Sequence, residues 1–392
     1  MGIEAKVMDS MKVLFISEYL VNEEISGGSV ASKNHLESIR ELVGYDNVDV
    51  VAPLWKREWE ELNRDRKIQC VSAYKNHMEQ LINNLEGNVT LLNRSIIREI
   101  VRKIEEQSYD VVFLDNTFYG TLIRRIKKKF PAVKIIVFFH GVNRKTWELK
   151  LKADWGKLRN ITQFLAVFRN ERIGLKYTDI NLMLNQRDNE LLYQYYGVRS
   201  QYFLPSYYSD TAIDLQAELP LDHEFRLLFV GGYFWPNVAG ITWFVKNVLN
   251  FLTGDIHLYI VGYRMEELRE REPFAGNSRV TVIGTADSLD AWYNSADLVV
   301  SPIFEGDGMK TKTAEALMYG KIILGTGEAF CGYVGLEPYQ CDTKEAFIRQ
   351  IQAYQQAGIS RYHQNIRDIF TERYSQEAAR RTFREILFEE ET

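Results

Sequence analysis

Apolar, β-branched runs alternate with helical stretches along most of the chain. The first is Lys12–Ser17 (KVLFIS), followed by a glycine-containing loop at Gly27-Gly28-Ser29 and a helix over about Val30–Leu42. Further apolar runs, each followed by polar or helical sequence, predict strands at Val48–Ala52, Val111–Asp115, Lys134–His140 and Asp179–Leu184. This alternation is typical of parallel α/β units.

The periodicity lapses between Phe203 and Asp222, where two prolines occur without a clear repeat, and we interpret this stretch as a linker. A second alternating series follows, with a helix over Val238–Leu252 and a last helix over Ser375–Glu390. Its predicted strands are Arg226–Val230, Ile256–Val261, Arg279–Ile283, Leu298–Ser301 and Lys321–Gly325. The pattern predicts an α/β protein with two tandem Rossmann-like, doubly wound domains. We place them at residues 1–205 and 206–374, with residues 375–392 crossing back onto the first domain.

Composition narrows the class of protein. The chain has 392 residues, 46% of them hydrophobic, which is enough to fill more than one core. Three cysteines are too few and too scattered for a disulfide framework or a zinc cluster. The longest apolar runs are shorter than the roughly 20 residues of a membrane span, and the N-terminus lacks a signal-peptide core. We therefore expect a cytoplasmic protein.

The net charge of −5 hides an asymmetry. Residues 1–205 carry a net charge of +5 and residues 206–392 a net charge of −10. Within 124–159, twelve Lys and Arg residues stand against two acidic residues. Such a cluster suits a peripheral contact with an anionic membrane surface, which salt-sensitive sedimentation with anionic vesicles would detect, or it is simply a solvated helix face. We expect no nucleic-acid partner, because no recognised binding motif accompanies the charge.

Ligands of open parallel sheets bind beyond the carboxyl ends of the strands, so residues at strand ends are the candidates. After Arg226–Val230 come Gly231 and Gly232, whose missing side chains let a ligand approach the backbone, and Asn237, a candidate helix cap. The alternative is a plain tight turn.

A stronger candidate is the stretch after Leu298–Ser301. It contains the acids Glu305 and Asp307 and the turn residue Gly308, and we expect a helix to begin near Met309 or Lys310. The N–H groups of that helix start, with Lys310 and Lys312, suit a diphosphate. In the next turn Glu315 is placed to accept hydrogen bonds from the two hydroxyl groups of a ribose. Taken singly, each of these residues is also compatible with a solvated helix.

In the first domain, His140 ends a predicted strand and is followed by glycine, where an imidazole can donate to a sugar or phosphate oxygen. A structural histidine is the alternative. Gly28 in the first glycine loop is a candidate for close approach of a ligand, and Asp115 is a weaker candidate at the end of another strand.

In these features the chain resembles the sugar-nucleotide-dependent glycosyltransferases of the GT-B fold, in particular the retaining family 4 group. The most specific similarity lies in 302–326: Pro, a Gly-rich loop, Glu-Ala, a small-residue step, Gly, and a strand ending in Thr. Residues 229–244 match the subgroup pattern of strand, glycine, an aromatic stretch with Trp, Pro-Asn and helix. Residues 282–302 resemble the family's stretch around the nucleobase pocket.

The resemblance implies roles for several of these residues. Glu315 matches the second acid of the family's Glu-(seven residues)-Glu motif, which holds the donor's ribose. The first acid falls on Asp307, with Glu305 two residues earlier, and which of the two lies beside the donor sugar stays open. Lys310 and Lys312 match a variant that faces the diphosphate. His140 falls near the family's sugar-contacting histidine, and Gly28 matches a loop near the donor phosphates.

One departure is that the family's Arg and Lys after the first strand of the second domain are absent here, where the sequence reads Tyr-Phe-Trp-Pro-Asn at 233–237. The resemblance implies two domains facing across a cleft, with the acceptor on the first and the nucleotide sugar on the second. It also implies transfer to a glycan, lipid-linked sugar or protein acceptor, with retention, in polysaccharide or glycoconjugate synthesis. No metal or other cofactor is expected, since no D-x-D signature is present. The alternatives are a sugar-nucleotide epimerase of the same fold and a catalytically silent partner subunit.

Overall fold

A computed structural model shows how these segments are arranged. It describes residues 11–20, 27–54, 68–72, 77–89, 92–153, 158–212, 217–306 and 308–388. Their contacts divide the chain into two compact units: unit 1, which comprises Met1–Ser206 and Ala379–Thr392, and unit 2, which comprises Tyr207–Ala378.

Unit 1 contains a parallel sheet of seven strands. They are β1 (Val13–Ile16), β2 (Val48–Leu54), β3 (Ile68–Ser72), β4 (Val111–Leu114), β5 (Lys134–Phe139), β6 (Ile180–Met183) and β7 (Tyr202–Phe203). The strand order is β3-β2-β1-β4-β5-β6-β7. The chain therefore reverses its direction of growth between β1 and β4, and both of these strands are buried along their whole length. Such a switch point is where a doubly wound sheet opens a crevice for ligands.

The described residues of unit 1 form seven helices before the linker, and the C-terminal helix completes the unit. The seven are α1 (Gly27–Val43), α2 (His77–Leu85), α3 (Arg94–Gln107), α4 (Gly120–Lys129), α5 (Asn143–Ala153), α6 (Leu158–Tyr177) and α7 (Gln186–Tyr196). The helix α3 shows why they form: the Asn93 side chain caps it by accepting from the N–H groups of Ser95 and Ile96, both at 2.9 Å. Its isoleucines at 96, 97, 100 and 104 are all buried, which gives the helix one apolar face.

Unit 2 contains a five-stranded parallel sheet. Its strands are β8 (Phe225–Val230), β9 (Ile256–Val261), β10 (Val280–Gly284), β11 (Leu298–Ser301) and β12 (Ile323–Gly325). Its helices are α8 (Trp235–Asn247), α9 (Asp290–Ser295), α10 (Thr311–Met318), α11 (Lys344–Ala357) and α12 (Gln364–Arg373). The strand order β10-β9-β8-β11-β12 places a second switch point between β8 and β11. The α/β class and the two Rossmann-like sheets predicted from the sequence are confirmed.

Local details differ from the predictions. Gly27-Gly28-Ser29 forms the first turn of α1 rather than a loop. The sheet of unit 1 also includes β3, which was not predicted because Ile68–Ser72 mixes polar and apolar residues. The predicted linker begins inside β7, since Phe203 pairs with Met183. Helix α8 starts three residues earlier and ends five residues earlier than predicted.

The C-terminal helix α13 (Gln376–Phe388) begins in unit 2, and from Ala379 onward its residues belong to unit 1. There Arg380 forms an ion pair with Glu41 of α1. The ring of Phe383 lies 6.0 Å from that of His35 and 6.1 Å from that of Phe113. The last helix therefore completes the core of unit 1.

The contact between α4 and α6 depends on a glycine. A Cβ atom at Gly120 would lie 2.1 Å from the carbonyl oxygen of Asn170, so only glycine permits this approach. The closeness lets the Asn170 side-chain oxygen accept from the Thr121 N–H at 3.1 Å in the first turn of α4. A second buried glycine of the same contact, Gly174, is not under this constraint: its Cβ would lie 3.6 Å from Ile123 Cδ1, an ordinary contact.

We expect Gly120→Ala to lower the free energy of unfolding of unit 1 by about 2 kcal/mol or more, because backbone must move to accept the methyl group. The matched variant Gly174→Ala should be neutral or stabilising, by up to about 1 kcal/mol, since alanine favours the helix. Urea unfolding followed by circular dichroism measures both. Equal effects of the two substitutions would contradict the packing described here.

Candidate functional site

The main cavity of unit 2 lies at the switch point between β8 and β11. It has a volume of about 500 Å³ and is bounded by the segments that follow β8, β9, β10 and β11. Its lining includes seven residues from the sequence predictions: Gly231, Gly232, Asn237, Met309, Lys310, Lys312 and Glu315. The other lining residues are Val230, Phe234, Gly262, Tyr263, Thr285, Ala286, Leu289 and Thr311. The structure thus brings residues from four strand ends to one cavity.

The floor of the cavity requires glycine. Gly262 has a φ of +143°, and a Cβ atom there would lie 2.1 Å from the carbonyl oxygen of Gly231. A Cβ at Gly231 would in turn lie 3.0 Å from Lys312 Nζ and 3.0 Å from Asn237 Nδ2. The missing side chain at Gly231 therefore lets an ammonium group and an amide lie against the backbone.

Lys312 is buried, with 9% of its surface exposed. Its Nζ donates a hydrogen bond to Asn237 Oδ1 and lies 4.7 Å from the centre of the Phe229 ring. Burial lowers the pKa of Lys312 to about 7; the Glu315 carboxylate opposes this shift, and Lys310 adds to it. The side chain can therefore change its charge near neutral pH.

Asn237 does not cap α8, which is a correction to the sequence analysis. The N-cap position of α8 is Phe234, and Asn237 lies inside the first turn. Its Nδ2 donates to the carbonyl oxygen of Gly232 at 2.8 Å, while its Oδ1 accepts from Lys312. The amide thus connects the turn after β8 with α10.

Lys310 occupies the N-cap position of α10, after Gly308 at a φ of +67°. Its Nζ donates to the Gly308 carbonyl oxygen and to Glu328 Oε1, each at 2.8 Å. The Lys310 side chain itself makes no capping hydrogen bond to the N–H groups of α10. The helix start therefore presents N–H groups to the cavity, a favourable environment for an anion.

Glu315 is half-buried in the cavity wall. Its Oε2 accepts a hydrogen bond from the hydroxyl of Tyr293 at 2.9 Å. Burial raises the pKa of Glu315, and the Tyr293 bond and Lys312 oppose that shift. The sequence analysis missed Tyr293, which lies on α9 and carries no motif signal; the only available clue was that a half-buried carboxylate needs a donor.

The two candidate sugar-side acids are not both described. Asp307 lies outside the described residues. Glu305 is exposed and does not line the main cavity. It borders a smaller, largely aromatic cavity of about 270 Å³, whose other lining residues are Trp235, Pro236, Ala239, Gly240, Trp243 and Phe304.

A buried carboxylate organises the switch point of unit 1. Asp115, directly after β4, is fully buried, and its Oδ1 lies 3.0 Å from His35 Nδ1. Its Oδ2 accepts from the hydroxyl groups of Ser17, at 3.1 Å, and Ser32. His140, directly after β5, places Nε2 3.3 Å from Asp115 Oδ1.

The surroundings lower the pKa of both Asp115 and His35, which favours the charged form of the carboxylate and the neutral form of the imidazole. Burial alone would raise the pKa of Asp115, but His140 and His35 outweigh burial and hold it well below its ordinary value. Burial lowers the pKa of His35, although Asp115 opposes this. Asp115 therefore stays ionised inside the unit. The sequence analysis gave it a minor place because the serines and His35, which come from β1 and α1, carry no motif signal.

Gly28 acts on this cluster through Tyr19. A Cβ atom at Gly28 would lie 3.2 Å from the Tyr19 ring, which is tight. The Tyr19 ring meets the His140 ring edge-on at 4.9 Å. Gly28 thus allows the tyrosine to pack beside His140.

The described basic residues of 124–159 include groups at opposite ends of the strands of unit 1. Helix α4 precedes β5, so its last turn (Lys127, Lys128 and Lys129) lies at the amino ends of the strands, whereas α5 follows β5 at the carboxyl ends. Two of these lysines are paired: Lys127 with Asp179 at 2.8 Å and Lys129 with Glu105 at 2.7 Å. Residues 154–157 lie outside the described residues. Contact with an anionic membrane stays a prediction.

The described residues have two further properties. None of their helices combines the length and apolar character of a membrane span. They also contain no group of three or more His, Cys, Asp or Glu side chains placed to share a metal ion.

Comparison with known proteins bears on the class of the chain. Residues 224–354 match the family model described as glycosyl transferases group 1. No curated protein matches the sequence. The matched residues make up most of unit 2.

Solved structures resemble the whole chain. The apo form of the lipopolysaccharide outer core galactosyltransferase WaaB has a TM-score of 0.66 at 14% identity, over 96% of this chain and 99% of that one. A glycosyltransferase from Rickettsia africae gives 0.61 at 12% identity, over 97% and 99%. HepE from Anabaena in complex with UDP gives 0.58 at 12% identity, over 96% and 99%. The fold is GT-B, and with the match of unit 2 the chain is a glycosyltransferase.

Removing the charge of Asp115 tests the cluster of unit 1. We expect Asp115→Asn to lower the free energy of unfolding by about 2–3 kcal/mol, because buried donors lose a charged acceptor. The control is Asp110→Asn, at the exposed start of the same strand, which should change stability by less than about 1 kcal/mol. Thermal and urea unfolding measure both variants, and equal stability of Asp115→Asn and wild type would refute this account.

Proposed function

We propose that the chain transfers a sugar from a nucleoside-diphosphate sugar to an acceptor hydroxyl, and that the cavity of unit 2 binds the donor. The observation that carries this proposal is that a buried lysine, Lys312, and a half-buried carboxylate, Glu315, line one cavity at a sheet's switch point. A diphosphate needs positive charge and N–H groups, and a ribose needs a hydrogen-bond acceptor. The cavity offers all three within two turns of α10.

The first donors to test are UDP-hexoses. HepE was solved with UDP and also with UDP-glucose, and WaaB is a galactosyltransferase. The acceptor we propose is a glycan or lipid-linked glycan, as expected for polysaccharide or glycoconjugate synthesis.

In the proposed reaction the bond between the anomeric carbon and the diphosphate oxygen breaks, and the acceptor oxygen forms the new bond. Lys312 and the N-terminus of α10 stabilise the charge that develops on the leaving diphosphate, without a metal. We propose retention, with the departing phosphate oxygen taking the acceptor's proton on the same face. The anomeric configuration of the product, read by NMR, tests this. Glu305, Asp307 and His140 stay predictions for the sugar side, to be tested by alanine variants in the assay below.

The transfer assay measures UDP released from UDP-hexoses with and without a panel of acceptor glycans. We expect acceptor-dependent release, and a loss on the order of 100-fold in kcat/KM for Lys312→Ala. The control Lys344→Ala removes an exposed lysine of the same unit and should behave as wild type. Isomerised donor in the absence of acceptor would instead identify an epimerase, and a chain that neither binds nor turns over any donor would be a silent subunit.

The pKa of Lys312 predicts how donor binding depends on pH. Because that pKa is about 7 in the free protein, the ammonium is charged below pH 7 and loses its proton above it. A diphosphate binds the charged form, so UDP affinity should fall by about tenfold between pH 7 and pH 8.5. Binding at pH 8 should take up a proton, which calorimetry in two buffers detects.

The control for this dependence is Lys312→Arg, whose guanidinium stays charged over the whole range. We expect a flat affinity profile above pH 7 for this variant. If wild type and Lys312→Arg give the same profile, Lys312 does not bind the diphosphate.

A further inference from the structure

Glu315 belongs to a set of paired contacts between two helices. Tyr293 on α9 donates its hydroxyl to Glu315 on α10 at 2.9 Å. Three residues earlier on α9, Asp290 accepts at 2.7 Å from the hydroxyl of Tyr319, which follows α10 and lies four residues after Glu315. The two bonds connect the helices at successive turns, so the position of one is linked to that of the other.

Tyr293 is rigidly held. Its side chain is fully buried, and its ring stacks on the Tyr319 ring with centroids 4.6 Å apart and planes inclined by 7°. Tyr319 is itself hydrogen-bonded to Asp290, so the stacked pair of rings is held from both sides. The Tyr293 hydroxyl is therefore a fixed donor directed at Glu315.

The bond defines the orientation of the carboxylate. It engages Oε2, whereas a carboxylate has two oxygens with about four lone-pair positions. Glu315 therefore keeps acceptor capacity in the cavity while its torsional freedom is restricted. A ligand's hydroxyl groups then meet a carboxylate that is already oriented.

We propose that Tyr293 is a positioning residue that sets Glu315 for the vicinal hydroxyls of the donor's ribose, and so makes the site select ribonucleotides over 2′-deoxyribonucleotides. This rests on the proposed function, in which Glu315 binds the ribose. The competing account is that Tyr293 only holds α9 against α10. In that case losing its hydroxyl would weaken all nucleotides equally.

The experiment is calorimetric binding to the full chain of UDP, ADP and GDP, followed by the 2′-deoxy form of whichever binds best. For Tyr293→Phe we expect a loss on the order of tenfold for the ribonucleotide and less than about twofold for its deoxy form. The ratio of the two affinities should therefore collapse. In a Glu315→Gln background, Tyr293→Phe should add little, since the two substitutions act on one interaction.

The control is Tyr374→Phe, which removes the hydroxyl of another buried tyrosine of unit 2, one that bonds to the Val334 N–H and does not line the cavity. It should keep the wild-type ratio. If Tyr293→Phe weakens both ligands equally or not at all, the ratio is unchanged, and the positioning role alone is overturned. If Tyr293→Phe does not fold, Glu315→Gln takes its place in the test, and an unchanged ratio in that variant also overturns the positioning role. A wild-type chain that binds no nucleoside diphosphate would overturn the proposed function, and the role of Tyr293 with it.

Discussion

A lysine ammonium buried against backbone constrains how the carboxyl edge of the sheet of unit 2 can be built. A buried cation needs acceptors, and Lys312 obtains one from the side chain of Asn237 in the first turn of α8. The ammonium also needs space, which requires a bare Cα at Gly231. Gly231 in turn approaches Gly262 so closely that this residue too must be glycine. The segments that follow β8, β9 and β11 are thus packed around the ammonium group of Lys312.

Unit 1 also buries an ion at its switch point, but the ion has the opposite charge. At its switch point the buried ion is the carboxylate of Asp115, surrounded by two histidines and two serine hydroxyls. These four groups come from three parts of the chain: Ser17 from the end of β1, Ser32 and His35 from helix α1, and His140 from the end of β5. The two sheets have the same strand topology at their switch points. Their chemistry differs, because a cation is suited to a phosphate ligand and a histidine cluster to moving or sharing protons.

The fold was largely predictable because it depends on periodic burial. β-Branched runs separated by helices specify parallel sheets, and every described strand except β3 and β7 was found this way. Strand β3 was missed because Ile68–Ser72 mixes polar and apolar residues, and its place in the sheet is set by pairing with β2. The lysines and Glu315 could be predicted because they belong to one local motif, whereas Tyr293 could not. Its contribution depends on the spacing between two helices, which no short sequence pattern records.

The path of the last helix has a consequence for dissecting the protein. The ring of Phe383 lies beside His35, so a residue of helix α13, which follows unit 2 in the sequence, completes the wall around the carboxylate cluster of unit 1. The first 206 residues therefore do not form a self-sufficient module, although they include every strand of their sheet. A fragment ending at the linker would lack part of its own interior, and during synthesis unit 1 obtains that part only after unit 2 has been made.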